Sequence, residues 1–286
     1  MFKKKKDQTY QSYWSISWNI FKKNKVAMVC LFIVILLCLI ALFAPLIAPY
    51  DPNKQVLTDR LMKPCGQHWF GTDDLGRDIF SRIIYGCRVS LSVGIISQII
   101  ATVIGYTMGV CAGYYGGKVD SVISFLIQVF SSFPFLLFAM AIMFVLGPGL
   151  INLYLALGLL GWASTARLIR GDVMRLKKME YIDACKVSGG NSFRIIMKHL
   201  LPNCLSTLIV TVTLGIPNAI MSEASLSFLG LGVKAPMASW GSMISFSQPY
   251  IRSATYYSVI PGLAIIITVL AFNMLGDGLR DALDPK

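Results

Sequence analysis

Long apolar runs alternate with short polar segments along this chain. Val26–Ile47 holds no charged residue, and about 20 apolar residues cross a bilayer core. Further runs cover residues 89–115, 121–147, 149–166, 204–233 and 258–276. The pattern predicts an all-α integral membrane protein with six transmembrane helices, since unpaired backbone groups are too costly in lipid for irregular chain. The first run exceeds the apolar core of a cleaved signal segment, and no small-x-small site follows it. Pro45 and Pro49 mark its exit from the membrane.

The runs divide the chain into a basic tail and interfacial helix (1–25), a first transmembrane helix (26–48) and an outer loop with a short helix (49–88). A five-helix core (89–286) follows and includes a polar loop at 167–203. In the first segment Tyr10, Trp14, Trp18 and Phe21 fall at helical spacing with lysines after them. That arrangement places a helix at headgroup depth on the inner face. In the outer loop, Thr72 or Asp73 is the expected cap of a short helix carrying Ile79, Phe80, Ile83 and Ile84. Its Arg77, Asp78 and Arg82 are expected to stay wet or to pair.

Three runs carry internal detail. Ala101, Gly105, Gly109 and Gly113 lie four apart on one face of the second run. Such a face lets helices approach closely, within the chain or at a seam between two subunits. The third run contains SSFPFLLF, where Phe133 and Pro134 mark a local loosening and a candidate gate. The fifth holds Pro217, Asn218 and Glu223. A carboxylate at membrane depth is expensive and points to function, whereas one near the outer interface has no such meaning. Both placements are open for Glu223.

Composition agrees with a membrane protein: 55% of residues are apolar and 14% charged, too oily for an ordinary soluble domain. The net charge of +12 is distributed by topology rather than collected as a nucleic-acid patch. With a cytosolic N-terminus and six spans, the inner segments hold 18 Lys and Arg and the outer segments 8. That asymmetry is the positive-inside bias, and it places both termini in the cytosol. The seven cysteines are scattered, several within spans, and read as small apolar side chains. Cys65 and His68 form a C-x-x-H with no second ligand pair. No G-x-x-x-x-G-K-[ST] phosphate loop is present in the sequence. His68 and His199 lie outside the apolar runs, which disfavours an intramembrane enzyme. An ion-coupled transporter needs ionisable groups at midplane, and Glu223 alone answers that description.

The segment EYIDACKVSGGNSFRIIMKHLLPN, residues 180–203, reads as helix, break, helix. Gly189-Gly190 ends the first helix, and Asn191 or Ser192 caps the second. Phe193, Ile196, Met197 and Leu200 form an apolar stripe, and Pro202 is expected to stop the element. A hairpin with an apolar face and a bare Ala184/Gly189 corner suits a groove on another protein; a basic loop resting on lipid is the other reading.

The same segment resembles the coupling loop of ABC importer permeases. Asp183, Ala184 and Cys185 stand at the E-A-A positions of that motif, Gly189 at its glycine, and Leu201-Pro202 at its L-P; Asp183 and Cys185 depart from the strict form. FGTDDLGRDIFSRIIYGCRVSL (70–91), GYYGGKVD (113–120), SEASLSFLGLG (222–232), the SWG of 239–241 and PGLAIIITVLAFNMLGDGLRDALDPK (261–286) resemble signatures of the dipeptide/oligopeptide/nickel importer family, C-type. The resemblance implies a type I importer permease fold (MetI-like) with a cytosolic coupling-helix hairpin. It implies a non-catalytic transport subunit in the bacterial cytoplasmic membrane. The implied partners are a paralogous B-type permease, two ABC ATPase subunits that hold ATP and Mg2+, and an extracytoplasmic substrate-binding protein. The chain itself would bind no cofactor or metal. Asp183 to Cys185, Gly189, Gly190, Leu201 and Pro202 would form the ATPase-coupling loop, with Glu180, Lys186, Arg194 and Lys198 as candidate rim charges. Di- or oligopeptides are the first implied substrate, and nickel or a metal chelate the alternative.

Overall fold

A computed structural model describes residues 13–283. Tyr10 and the lysine run before it lie outside the described residues. Helix α1 (Tyr13–Lys23) leaves Trp14 and Trp18 exposed and turns Phe21 inward. The Lys22 ammonium lies 5.3 Å from the Trp18 ring centroid, a contact suited to an aromatic at headgroup depth. Asn24 accepts from the Ala27 N–H and caps α2 (Lys25–Leu42). Helix α2 is apolar on all sides; Phe32 and Leu42 face outward. A face uniform in polarity with no cover is what a lipid-facing helix presents. Its Ala27 meets Gly278, where a Cβ would clash. Pro45 opens the short α3 (Ala44–Ile47), and the chain leaves the helical stack there.

The outer segment is a compact ionic knot. Arg77 Nε donates to Asp73 Oδ2 at 2.6 Å, and the Asp73 Oδ1 accepts the backbone N–H groups of Leu75 and Arg77. Arg82 Nε lies 3.4 Å from the same carboxylate, while its Nη1 donates to the Pro52 carbonyl. Arg77, Asp78 and Arg82 are all buried, so they pair and do not stay wet. Asp78 is the cap, accepting from the Ser81 N–H at 2.7 Å. Thr72 and Asp73 are occupied by loop contacts. The expected short helix is therefore the first turns of α4 (Ile79–Tyr115), 37 residues long, or about 55 Å.

Helix α5 (Gly117–Ser132) and α6 (Phe135–Leu146) meet at a 90° bend. The third apolar run is thus broken rather than loosened. Pro134 lacks the N–H that a continuing helix needs, and Ser132 Oγ closes the end of α5 by donating to the Gln128 carbonyl. Helix α7 (Leu150–Leu176) follows and packs along α4. The polar loop then forms α8 (Glu180–Val187) and α9 (Ser192–Ile195). Next come α10 (Leu201–Phe228), a short α11 (Trp240–Ser247) capped by Ser239, and α12 (Thr255–Leu283). No strand occurs among the described residues.

By length and composition, four stretches can cross a membrane: α2, α4, the continuous Ser192–Phe228 and α12; the bent α5–α6 pair makes a fifth. Helix α7 has the length of the expected fourth span but is less apolar, carrying Asn152, Gly158, Gly161 and Arg167. Arg167 is exposed and donates to Ser131 Oγ of α5, and Asn152 donates to the Leu146 and Gly147 carbonyls, so the polar groups that weaken the signal serve contacts to neighbouring segments.

Candidate functional site

The polar loop folds back as a hairpin. Helix α8 ends in paired reverse contacts: Gly189 N–H donates to the Lys186 carbonyl and Gly190 N–H to that of Cys185. Gly189 has φ +79°, open to glycine at little cost. At Gly190 a Cβ would stand 2.6 Å from Cys185 Sγ, so the second glycine is required by contact. Asn191 then caps α9 by accepting from the Arg194 N–H at 2.8 Å.

The predicted apolar stripe is half displaced. Ile195 and Leu200 are buried with Ile182, whereas Phe193 is 72% exposed and Met197 also faces out. The cause is a wide turn over Ile196–Leu200, where Leu201 N–H reaches the Ile196 carbonyl five residues back. One inserted residue rotates the register by about 100°. The same turn accommodates Pro202, which begins α10 instead of stopping the element. Leu201 is half-buried and Pro202 is exposed. Asp183 and Ala184 are exposed, Cys185 is half-buried, and Asp183 pairs with Lys186 at 2.8 Å. Val187 at the corner is 89% exposed. The hairpin thus has a packed base and an unpacked apolar tip.

The small-residue ladder lies on α7 of the same chain. A Cβ at Gly105 would stand 2.6 Å from Thr165, one at Gly109 would stand 2.6 Å from the Ala166 carbonyl, and one at Gly113 would meet Val173 and the Arg170 carbonyl. Ala101 faces Gly161. These four positions are committed within the subunit, so this face is not open to a two-subunit seam.

A cleft of about 1250 Å³ opens between α5, α6, α7, α10 and the end of α12. Phe133 lines it. Pro134, beside it, is exposed but does not line it. Pro217 and Glu223 are buried within α10 and do not reach the cleft. The Glu223 carboxyl accepts from Ser227 Oγ at 2.6 Å and from Ser90 Oγ at 3.4 Å, and Ser90 Oγ accepts the Trp240 N–H. Glu223 therefore joins α10 to α4 and to the start of α11. Two residue sets escaped sequence reasoning. Asp120 and Arg170 form a two-bond ion pair between α5 and α7. Along α10, Asn203, Thr207, Thr211, Asn218, Ser222 and Ser225 fall on the cleft side at spacings of three, four and seven, a helical period that the order of residues carries.

The comparisons agree with this geometry. Residues 102–286 match the family described as binding-protein-dependent transport system inner membrane component, and residues 12–64 match the N-terminal TM domain of oligopeptide transport permease C. The chain is 46% identical over 276 residues to the dipeptide transport system permease protein DppC of Bacillus subtilis, covering 96% of this chain and 86% of the relative. It is 41% identical over 282 residues to the glutathione transport system permease protein GsiD of Pectobacterium atrosepticum, covering 98% and 94%. An inward-facing structure of the MetNI methionine ABC transporter superposes with a TM-score of 0.58 over 72% of this chain and 98% of that one; at 19% identity this speaks for the fold alone. The packed six-run helical core, the glycine-cornered hairpin and these matches together place the chain in the family of ABC importer permeases, among the C-type permeases of the peptide branch.

Proposed function

We propose that this chain is one permease half of an ATP-driven importer of di- or oligopeptides, with both termini in the cytosol. The observation that carries the reading is the hairpin: its base is buried around Ile182, Ile195 and Leu200, while Val187 at its tip and Phe193 and Tyr181 on its flanks are exposed to solvent. An exposed apolar tip on a rigid base suits a cleft on a partner. Two ATPase subunits, holding ATP and Mg2+, dock there and at the equivalent hairpin of a paralogous B-type permease. An extracytoplasmic binding protein delivers substrate to the side of the Asp73–Arg77–Arg82 knot.

Movement of the docked hairpin is transmitted because Ser192–Phe228 is one continuous helical run. A pull on α9 therefore moves α10, which walls the cleft, while Glu223 ties the far part of α10 to α4 and α11. Rigid-body rocking of such elements is a known switching mode. The catalytic work is done by the ATPases, and this chain binds no cofactor. The relatives named for dipeptide and glutathione transport favour peptides over nickel or a chelate as the cargo.

The test is a mild-detergent pull-down of a tagged copy from its native membrane, with every partner identified by mass. A paralogous permease with one or two P-loop ATPases supports the reading. A reproducible homo-oligomer without an ATPase overturns it.

A further inference from the structure

Helix α10 carries a polar stripe along its cleft side: Asn203, Thr207, Thr211, Asn218, Ser222 and Ser225. None of them is charged. The hydroxyl protons are committed within the subunit. Thr211 Oγ1 donates to the Thr207 carbonyl, Ser222 Oγ to that of Asn218 and Ser225 Oγ to that of Met221, while Thr207 Oγ1 donates to Asp172. Each asparagine likewise commits one amide proton, Asn203 to the His199 carbonyl and Asn218 to the Leu214 carbonyl. A hydroxyl has one proton and two lone pairs, so what remains toward the cleft is mainly acceptor oxygen. On the facing wall Ser164 of α7 repeats the pattern, donating to the Gly161 carbonyl.

A polar stripe at membrane depth does not face lipid; it lines water or a polar partner. We propose that the α10 stripe is a wall of the translocation path and that its acceptor character selects for hydrogen-bond donors, the backbone N–H groups and terminal ammonium of a short peptide. This rests on the peptide-importer reading above. Neutral acceptors spaced along the path offer successive weak contacts with no deep well. That suits passage, since a solute held by fixed charge is slow to leave. Fixed charges occur at the end of the cleft nearest the hairpin, where Asp172, Arg175 and Arg280 line it and Asp172 lies 3.6 Å from the Arg175 guanidinium.

Two measurements on the assembled complex test the proposal. In the first, Asn218→Cys and Ser222→Cys are exposed to a water-soluble cationic methanethiosulfonate and the labelled peptides are read by mass. Val103→Cys, on the exposed outer side of α4, is the lipid-facing control. Labelling at 218 and 222 but not at 103 is expected. No labelling at 218 or 222 in either the resting or the ATP-bound complex overturns the proposal, because the stripe is then a dry seam. In the second, Thr211→Val/Ser222→Ala is reconstituted in proteoliposomes with its ATPases and receptor, and labelled dialanine import is followed. The maximal rate should fall roughly tenfold, as two neutral contacts are lost, with the half-saturating receptor concentration unmoved. A wild-type rate in this variant overturns the stripe. A wild-type complex that imports no dipeptide overturns the peptide reading instead.

Discussion

Arg170 of α7 grips Asp120 of α5 with both arms of its guanidinium: Nε donates to Oδ1 at 2.5 Å and Nη2 to Oδ2 at 2.7 Å. The pair lies where α4 turns into α5, next to the Gly116-Gly117 corner. Two parallel charge-assisted bonds fix direction as well as distance. Beyond this pair, α5 is held to the core by the apolar row of Ile123, Ile127 and Phe130, the last packed edge-on against Trp162 of α7.

Asp120→Asn keeps the shape and removes the charge. Both partners are partly exposed, so the loss should be modest, about 1 kcal/mol. Thermal unfolding of the purified subunit complex should show a small downward shift, larger at low salt than at high salt. A shift independent of salt would rule out an ionic origin.

Gly109 touches the backbone of α7, so even one methyl group must part the two helices. Gly109→Ala should destabilise by about 1–3 kcal/mol, seen as earlier aggregation on heating and a lower yield of monodisperse complex. Gly171→Ala is the matched control, because a Cβ there meets nothing within 4 Å. Equal behaviour of the two variants would remove the close-approach argument.

Glu223 is fully buried, and hydroxyls from two helices donate to its carboxyl. Glu223→Gln retains an acceptor for Ser227, whereas Glu223→Ala leaves Ser90 and Ser227 without theirs. The alanine variant should be the less stable by about 1–3 kcal/mol, measured as the unfolding midpoint of the complex. Import that follows stability in both variants marks a structural tie. Loss of import in a fully stable Glu223→Gln would mark a role for the charge.

Gly189 has positive φ with open space around its missing Cβ. Gly189→Arg therefore costs only the left-handed backbone, about 1 kcal/mol. Membrane levels should match wild type while a bulky cation sits on the exposed corner. Peptide uptake and ATPase co-purification should both fall at least tenfold. Survival of both would remove the corner from the docking surface.

The amino-acid order alone determined the helical class, the apolar runs, the break at Gly189-Gly190 and the disruption at Pro134. Those are local properties: chain hydropathy, a missing N–H and a missing Cβ act within a turn of where they occur. Tertiary structure decided the rest. Sequence periodicity exposed the Ala101–Gly113 face but could not say what lay against it; α7 of the same chain does. The same hydropathy left Glu223 equally suited to a pore and to an interface, until Ser90 and Trp240 were brought from distant segments. The order of residues left the ionic side chains of the outer loop open to solvent or to pairing, because burial of Arg82 depends on Asp73 and Pro52 closing around it. The hairpin stripe is split because one wide turn over Ile196–Leu200 offsets the side chains before it from those after it, so Phe193 and Leu200 no longer share a face. A face is written in the order of residues, but its partner is set by which helices the whole chain brings alongside.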